Sequence, residues 1–281
     1  TEYTAKALRN CNLTVHVSTK LNRSHLIHGK KALILPCLGR SEKDIQKTGI
    51  QFISTENSMG VVQKSEGNAT PCSDFLLSEP ALVAGLAKAT LYNSNTEWEK
   101  LISNYDFIRD KIEKVVPGFK NYNTRVRKKG GFYLPNNARE NNFSPTKTGK
   151  ANFTKNKPSD IILKEDELIL MTIRTHDQYN TTIYGLNDRY RGVLNERRVL
   201  FMNEFDMNIR NLKKLCKVDL ISHFNGKKRR AENFLVVPYS IPKQCAATYF
   251  PEANVLVPID SVDRISNTPT SKTIVITIEK R

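Results

Sequence analysis

Nine successive residues from Arg174 to Thr182, RTHDQYNTT, can each donate or accept hydrogen bonds through the side chain. A connection between two elements needs about two to five residues, so a polar run of this length suits a loop that grips a polar ligand. Loops are also polar simply because they are solvated, and composition alone leaves that reading open. The preceding residues favour the first. Leu168, Ile169, Leu170, Met171 and Ile173 make a short apolar stretch containing β-branched residues, the signature of a buried strand. Its abrupt end delivers the polar side chains to a strand terminus.

The 281 residues, 39% of them hydrophobic, with 12 Phe and 10 Tyr, are enough for two domains with real cores. No apolar run approaches the roughly 18–20 residues that cross a bilayer, and the charged N-terminal stretch has no signal-peptide core. The expectation is a cytoplasmic protein without a membrane partner. Cys11, Cys37, Cys72, Cys216 and Cys245 are far apart and in no CxxC or Cys/His pattern that could hold zinc or an iron–sulfur cluster, so they read as free thiols, mostly buried. His16, His25 and His28 have no carboxylate pair nearby and read as partnered or exposed histidines rather than metal ligands. No residue stands out as catalytic. The opening Thr1-Glu2-Tyr3, without an initiator Met, suggests a chain cut from something longer.

The net charge of +16, from 44 Lys and Arg against 28 Asp and Glu, favours phosphate-bearing ligands or nucleic acid through long-range attraction. Its distribution weakens the nucleic-acid version. Much of the excess sits in Thr124–Lys157 and in Lys227–Arg230 (KKRR), not on one face with interleaved aromatic platforms.

Residues 1–120 alternate strand and helix patterns. Asn12–Ser18 and Lys31–Cys37 read as strands, and Gln51–Ser54 with Gly60–Gln63 as a hairpin. Ser78–Leu91 reads as a helix capped by Ser78 with Pro80 in its first turn, burying Leu82, Val83, Leu86 and Ala89 or Thr90. Glu97–Val116 reads as one amphipathic helix ended by Pro117-Gly118. Residues 121–159, with Gly130-Gly131 and Asn pairs, read as a linker holding one strand at Gly131–Leu134. From residue 160 onward, strands are expected at Asp166–Ile173, Val199–Asn203, Cys216–Ser222, Arg230–Val237, Val255–Ile259 and Thr273–Glu279, the spacing of a small barrel or sandwich. A helix is expected at Glu204–Leu212 and a helical turn near Ala246–Phe250. The whole is α+β: an α/β portion, a linker and a β-barrel.

Arg174–Gly185 (RTHDQYNTTIYG), Arg189–Gly192 (RYRG), Val199–Asn203 (VLFMN) and Asp206, followed by Cys245–Pro258 and Ser266–Lys272 (SNTPTSK), resemble in order the motifs of the molybdopterin-dinucleotide-binding domain of molybdenum oxidoreductases. The likeness is to the YdeP-like branch of the formate-dehydrogenase alpha-subunit family. Ala32–Gln63 resembles the end of that family's preceding α/β catalytic-core domain. The resemblance implies a partial α/β core domain over 1–120 and a double-psi β-barrel over 160–281. It also implies a bis-molybdopterin guanine dinucleotide cofactor carrying molybdenum or tungsten. The 4Fe-4S cluster and most active-site residues would belong to N-terminal domains of the same polypeptide, so this chain alone would be inactive; an electron-transfer partner would complete the system. Arg174 would serve a phosphate or pterin carbonyl by forked donation. Thr175, Gln178, Tyr179 and Asn180 would hydrogen-bond the dinucleotide, Asn254 and Asn267 would face a pterin, and Lys272 would neutralise a phosphate. Gln178 stands where formate dehydrogenases of the family have a His. Two other classes remain: a basic barrel for single-stranded nucleic acid, and a module for a protein partner.

Overall fold

A computed structural model of the protein describes residues 2–155, 157, 160–179 and 184–281. The chain divides into two compact units, one over Thr4–Asn156 and the other mainly over Lys157–Arg281.

The first unit opens with α1 (Glu2–Arg9) from Thr4 onward and a parallel pair, β1 (Leu13–Ser18) and β2 (Lys31–Pro36). Two antiparallel hairpins follow, β3 (Asp44–Gln46) with β4 (Gly49–Gln51), and β5 (Ile53–Glu56) with β6 (Val61–Ser65). The second is the hairpin expected from sequence. Helix α2 (Glu79–Thr90) is capped as expected, Ser78 Oγ accepting from the Ala81 N–H. Its buried face differs: Ala81, Ala84 and Ala87 are inside, while Val83 and Leu86 are exposed.

The single helix expected over Glu97–Val116 is two, α3 (Trp98–Ser103) and α4 (Asp106–Val115). The break has a distant cause. Gln51 Oε1 accepts from the Tyr105 N–H at 2.9 Å, Thr48 donates twice to the Ser103 carbonyl, and Asn104 Oδ1 accepts from the Asp106 N–H. These bonds satisfy groups that a continuous helix would pair internally.

The linker expected over 121–159 is corrected in its first part. Residues here form α5 (Tyr122–Val126) as well as the strand expected at Gly131–Leu134, β7 (Phe132–Tyr133), and Tyr122, Val126 and Phe132 build a core of this unit with Phe52 and Val62. β7 adds to β6 as a third strand. Gly131 permits it, with φ +68 and a position where a Cβ would lie 1.9 Å from the Val62 carbonyl oxygen. The Gly-Gly and Asn content that suggested a loop serves tight turns around a packed aromatic cluster. The cysteines also differ from expectation: only Cys37 is buried, and Cys72 is exposed.

The second unit is a closed six-stranded barrel, as expected: β8 (Leu168–Ile173), β9 (Val199–Met202), β10 (Lys217–Phe224), β11 (Lys227–Pro238), β12 (Cys245–Tyr249) and β13 (Ile274–Lys280), in the order β10-β11-β9-β12-β8-β13. Leu168, Leu170, Leu200, Met202, Leu220, Phe234, Val236 and Ile276 fill one core. Phe201, Tyr249, Val193, Val199 and Ala247 form a second cluster. β8 alternates in burial, Leu168, Leu170 and Thr172 inward and Met171 exposed, the period of two that a strand requires. Helix α6 (Glu204–Ile209), capped by Asn203, leaves β9 where a helix was expected.

Two short readings are reversed. The helical turn expected near Ala246–Phe250 is β12, whose small Ala246 and Ala247 are enclosed between β8 and β9. The strand expected at Val255–Ile259 is replaced by a 3-10 turn, Glu252–Leu256, set between Pro251 and Pro258. Alanine prefers helix and valine prefers strand, and tertiary burial overrides both.

Candidate functional site

Barrel topology brings four chain segments to one end. β8 and β12 are parallel and finish together, Ile173 opposite Tyr249. β9 runs antiparallel to β12 and β13 antiparallel to β8, so both of these begin at that same end. The loop after Ile173, the approach to Val199, the turn after Tyr249 and the approach to Ile274 therefore converge.

Gln178 joins three of the four. It is buried, and its Nε2 donates to the Phe250 carbonyl at 2.8 Å. Its Oε1 accepts from Arg197 Nη2 at 3.0 Å and from the Thr175 N–H at 3.3 Å. Arg197, only 3% exposed, grips Glu252 with two nitrogens at 2.8 and 3.1 Å and also donates to the Phe250 carbonyl. Its guanidinium carbon lies 3.9 Å from the Tyr184 ring centroid, a stacking that suits a planar cation. Two buried polar atoms beside this network have no partner among the described residues: Thr175 Oγ1 and Arg197 Nη1.

A second hub sits on Asp188, whose side chain is fully buried. It accepts from Arg191 Nη1 at 2.6 Å and from the Tyr249 hydroxyl at 2.9 Å, and meets His176 Nδ1 at 3.3 Å. Burial pushes its carboxyl up, but hydrogen bonds from Arg191 and Tyr249 with the Arg191 charge outweigh this and hold it below the usual carboxylate range. Burial, then the Asp188 contact, pushes the Tyr249 phenol well above its usual range. Arg191 also donates to the Arg174 carbonyl at 3.2 Å, and His176 stacks on Tyr190 at 4.3 Å. Thus a buried carboxylate fixes the cations and rings that frame the loop.

The expected site residues fall as follows. Arg174 is exposed at the end of β8. The Lys272 ammonium donates to the Thr172 carbonyl, and the Thr172 N–H donates to the Ser271 carbonyl, which brings residue 272 to the same strand end as Arg174. Thr175 is buried, and Tyr179 is exposed. Gln178 is turned inward, so its shown contacts hold the loop together. Asn254 lies on the turn that Glu252 anchors to Arg197. Asn267 has a left-handed φ of 54° in an exposed loop, its N–H donating to the Asp263 carbonyl. Asn180 lies outside the described residues. The sequence reading missed Asp188, Arg191, Arg197, Tyr249 and Glu252. Asp188 and Arg191, three apart in a turn, carried a local signal; Arg197 and Glu252 meet across 55 residues and carried none.

The KKRR run lies on β11, where Arg230 pairs with Asp219 and Glu279 and Arg229 donates to the Val255 carbonyl. Half of that cluster is engaged internally, which does not favour a nucleic-acid groove. Among the described residues no three His, Cys, Asp or Glu side chains converge as a metal site, and no helix is long and apolar enough to cross a membrane.

Comparison with known proteins agrees with the barrel's construction. Residues 168–275 match the family described as the Molydopterin dinucleotide binding domain. The barrel belongs to that class, and the domain implies a molybdopterin cofactor. Over 99% of its length the chain is 47% identical to an uncharacterized oxidoreductase of Mycobacterium tuberculosis (strain H37Rv) and 44% identical to the protein YdeP of Escherichia coli (strain K12). The chain is related to these proteins along nearly its whole length and spans 37% of the length of each. Among solved structures, acetylene hydratase from Pelobacter acetylenicus overlays 88% of this chain and 38% of its own with a TM-score of 0.47 at 10% identity.

Proposed function

We propose that the barrel end bearing Arg174, Thr175, Tyr179, Arg197 and Lys272 holds one dinucleotide arm of a bis-molybdopterin guanine dinucleotide cofactor in a formate-dehydrogenase-like oxidoreductase. The observation that carries this reading is the pair of buried atoms that have no partner among the described residues, Thr175 Oγ1 and Arg197 Nη1. Each belongs to a residue bonded to the same Gln178 oxygen. A buried hydrogen-bonding group left unpaired costs about 1–3 kcal/mol, and a polar ligand at this end would offset that cost. The donor set fits the group: forked guanidinium for phosphate or pterin carbonyl, ammonium for phosphate, hydroxyls for the remainder.

In this reading Arg174 and Lys272 neutralise the anionic cofactor, while Thr175, Tyr179 and Asn180 hydrogen-bond it. Asn254 and Asn267 present amides to a pterin, and Gln178 positions the loop. When bound, the cofactor supplies electron transfer and oxygen or hydride chemistry at molybdenum or tungsten. The chain's own residues bind it, orient it and compensate its charge. The rest of the polypeptide would hold the second dinucleotide and a 4Fe-4S cluster, and electrons would pass to or from a separate partner in the cytoplasm. The test is to purify the full-length polypeptide, release bound small molecules with acid and assay nucleotide and metal. Guanine nucleotide with molybdenum or tungsten is expected; neither, or a different base, overturns the assignment.

A further inference from the structure

Among the described residues β1 and β2 form a parallel sheet of just two strands. Val15 lies opposite Leu33 and Val17 opposite Leu35. Since side chains alternate and in-register partners share a face, Leu13, Val15, Val17, Leu33 and Leu35 line one face, with Lys31 opposite Leu13 at its start. The first four of these in chain order, Leu13, Val15, Val17 and Leu33, are 46–55% exposed. On the other face Ile34 is also exposed. Parallel sheets in folded proteins are almost always covered on both faces, because their crossover connections lay helices there. A lone pair of strands is marginal in water.

The edges tell which way the sheet continues. β2 already meets another segment where it ends, Cys37 bridging Leu77 in parallel and the Leu38 N–H donating to the Leu77 carbonyl at 3.0 Å. β1 is free on its outer side among the described residues. Its sequence, LTVHVS, carries no Lys, Glu or Pro, the residues that blunt a true edge strand against further pairing. Helix α2 is an independent sign of missing cover, burying only alanines while Val83 and Leu86 point outward. A helix apolar on its outer face is one that is covered in the assembled protein. The relatives offer the material, since 63% of their length (100 − 37) lies outside the part this chain matches.

We propose that β1 is an interior strand of a larger parallel sheet. The rest of the polypeptide lays a further parallel strand along the free edge of β1 and a helix over the face of Leu13, Val15, Val17, Leu33 and Leu35. This surface is the joint between the present chain and the remainder of its own polypeptide. It rests on kinship with longer relatives and not on the cofactor reading.

The test uses the full-length polypeptide. Val15→Cys is treated with a maleimide under native conditions, and peptide-resolved mass spectrometry compares position 15 with the same protein unfolded. Labelling should be slowed by at least about tenfold, since reaction must wait for local opening, and should stay slow on dilution to monomer. In the unsubstituted polypeptide, amides of residues 13–18 should exchange slowly along the whole stretch, a readout that does not depend on the variant folding. Labelling at the unfolded rate with free exchange over 13–18 would overturn the proposal. Protection lost on dilution would also overturn it, by showing that a second copy is the cover. A purified polypeptide without pterin or metal would count against the cofactor reading and leave this readout unchanged.

Discussion

Removing the Asp188 carboxylate should destabilise the barrel and loosen the loop it braces. The carboxylate is fully buried and holds Arg191 at 2.6 Å and Tyr249 at 2.9 Å. Taking one partner from a buried ion pair costs about 3–5 kcal/mol. The Arg191 side chain is 18% exposed and can recover some hydration, so Asp188→Ala belongs at the low end. At roughly 3–6 °C per kcal/mol for a unit of this size, about 3 kcal/mol lowers the melting temperature by about 9–18 °C. The assay is thermal unfolding of cofactor-free protein by near-ultraviolet circular dichroism. Tyr249→Phe should cost less, about 1.5–3 kcal/mol for one bond to a charged acceptor. The double variant should fall short of the sum, because both changes break one contact. The pH dependence has a definite sign. The folded pKa of Asp188 is depressed, so its contribution is complete above the unfolded value of about 3.9 and disappears as pH falls through the folded value. Parent and Asp188→Ala should differ by a constant amount from about pH 5 to 8 and converge in acid. An Asp188→Ala protein melting within about 2 °C of the parent at neutral pH would refute the reasoning.

Asp219, held down to about 2 chiefly by Arg281, with the Asn233 N–H and Arg230 also lowering it against burial, should release the β10–β13 edge only as pH falls from about 4 towards 2. An acid titration followed by amide exchange of residues 274–280 checks this. Gln178→Ala removes bonds to Phe250 and Arg197 and should lower barrel stability by about 1–2 kcal/mol, read by the same melting assay. Limited proteolysis should cut first at exposed lysines such as Lys147, Lys150 and Lys155 and spare the helix Tyr122–Val126, whose Tyr122 and Val126 are packed, as fragment masses would show.

Features decided by neighbouring residues were legible in the sequence. The handover from Leu168–Ile173 to Arg174–Tyr179 is local in both hydropathy and polarity, and the structure places a strand and a polar loop there. The Ser78 cap and the β5–β6 hairpin are local in the same way. What escaped depends on residues far apart. α3 and α4 separate because Gln51 and Thr48 capture groups some fifty residues later. β12 is a strand only because Ala246 and Ala247 fit between two larger strands. The Arg197–Glu252 grip and the Tyr249–Asp188 bond close across the barrel end with no trace in spacing. Val83 and Leu86 are exposed because apolar pattern announces a face to be covered without naming the cover.

The central claim is that polar atoms at this barrel end are arranged for a cofactor more than for the barrel's own stability. Thr175→Val tests it most directly, because it replaces a buried hydroxyl that has no partner among the described residues with a methyl of nearly the same shape. Substituting an unpaired buried polar group by an apolar one of similar shape is nearly neutral or stabilising, whereas loss of a bond to a charged ligand group costs about 1.5–3 kcal/mol. Arg174→Ala, at an exposed position, serves as the companion. In the full-length polypeptide, melting of the cofactor-free protein should be unchanged or slightly raised for Thr175→Val. Bound molybdenum or tungsten and guanine nucleotide should fall for both variants when cofactor is limiting. Full occupancy in both variants, or a loss of stability in Thr175→Val that accounts for the lost cofactor, would contradict the account.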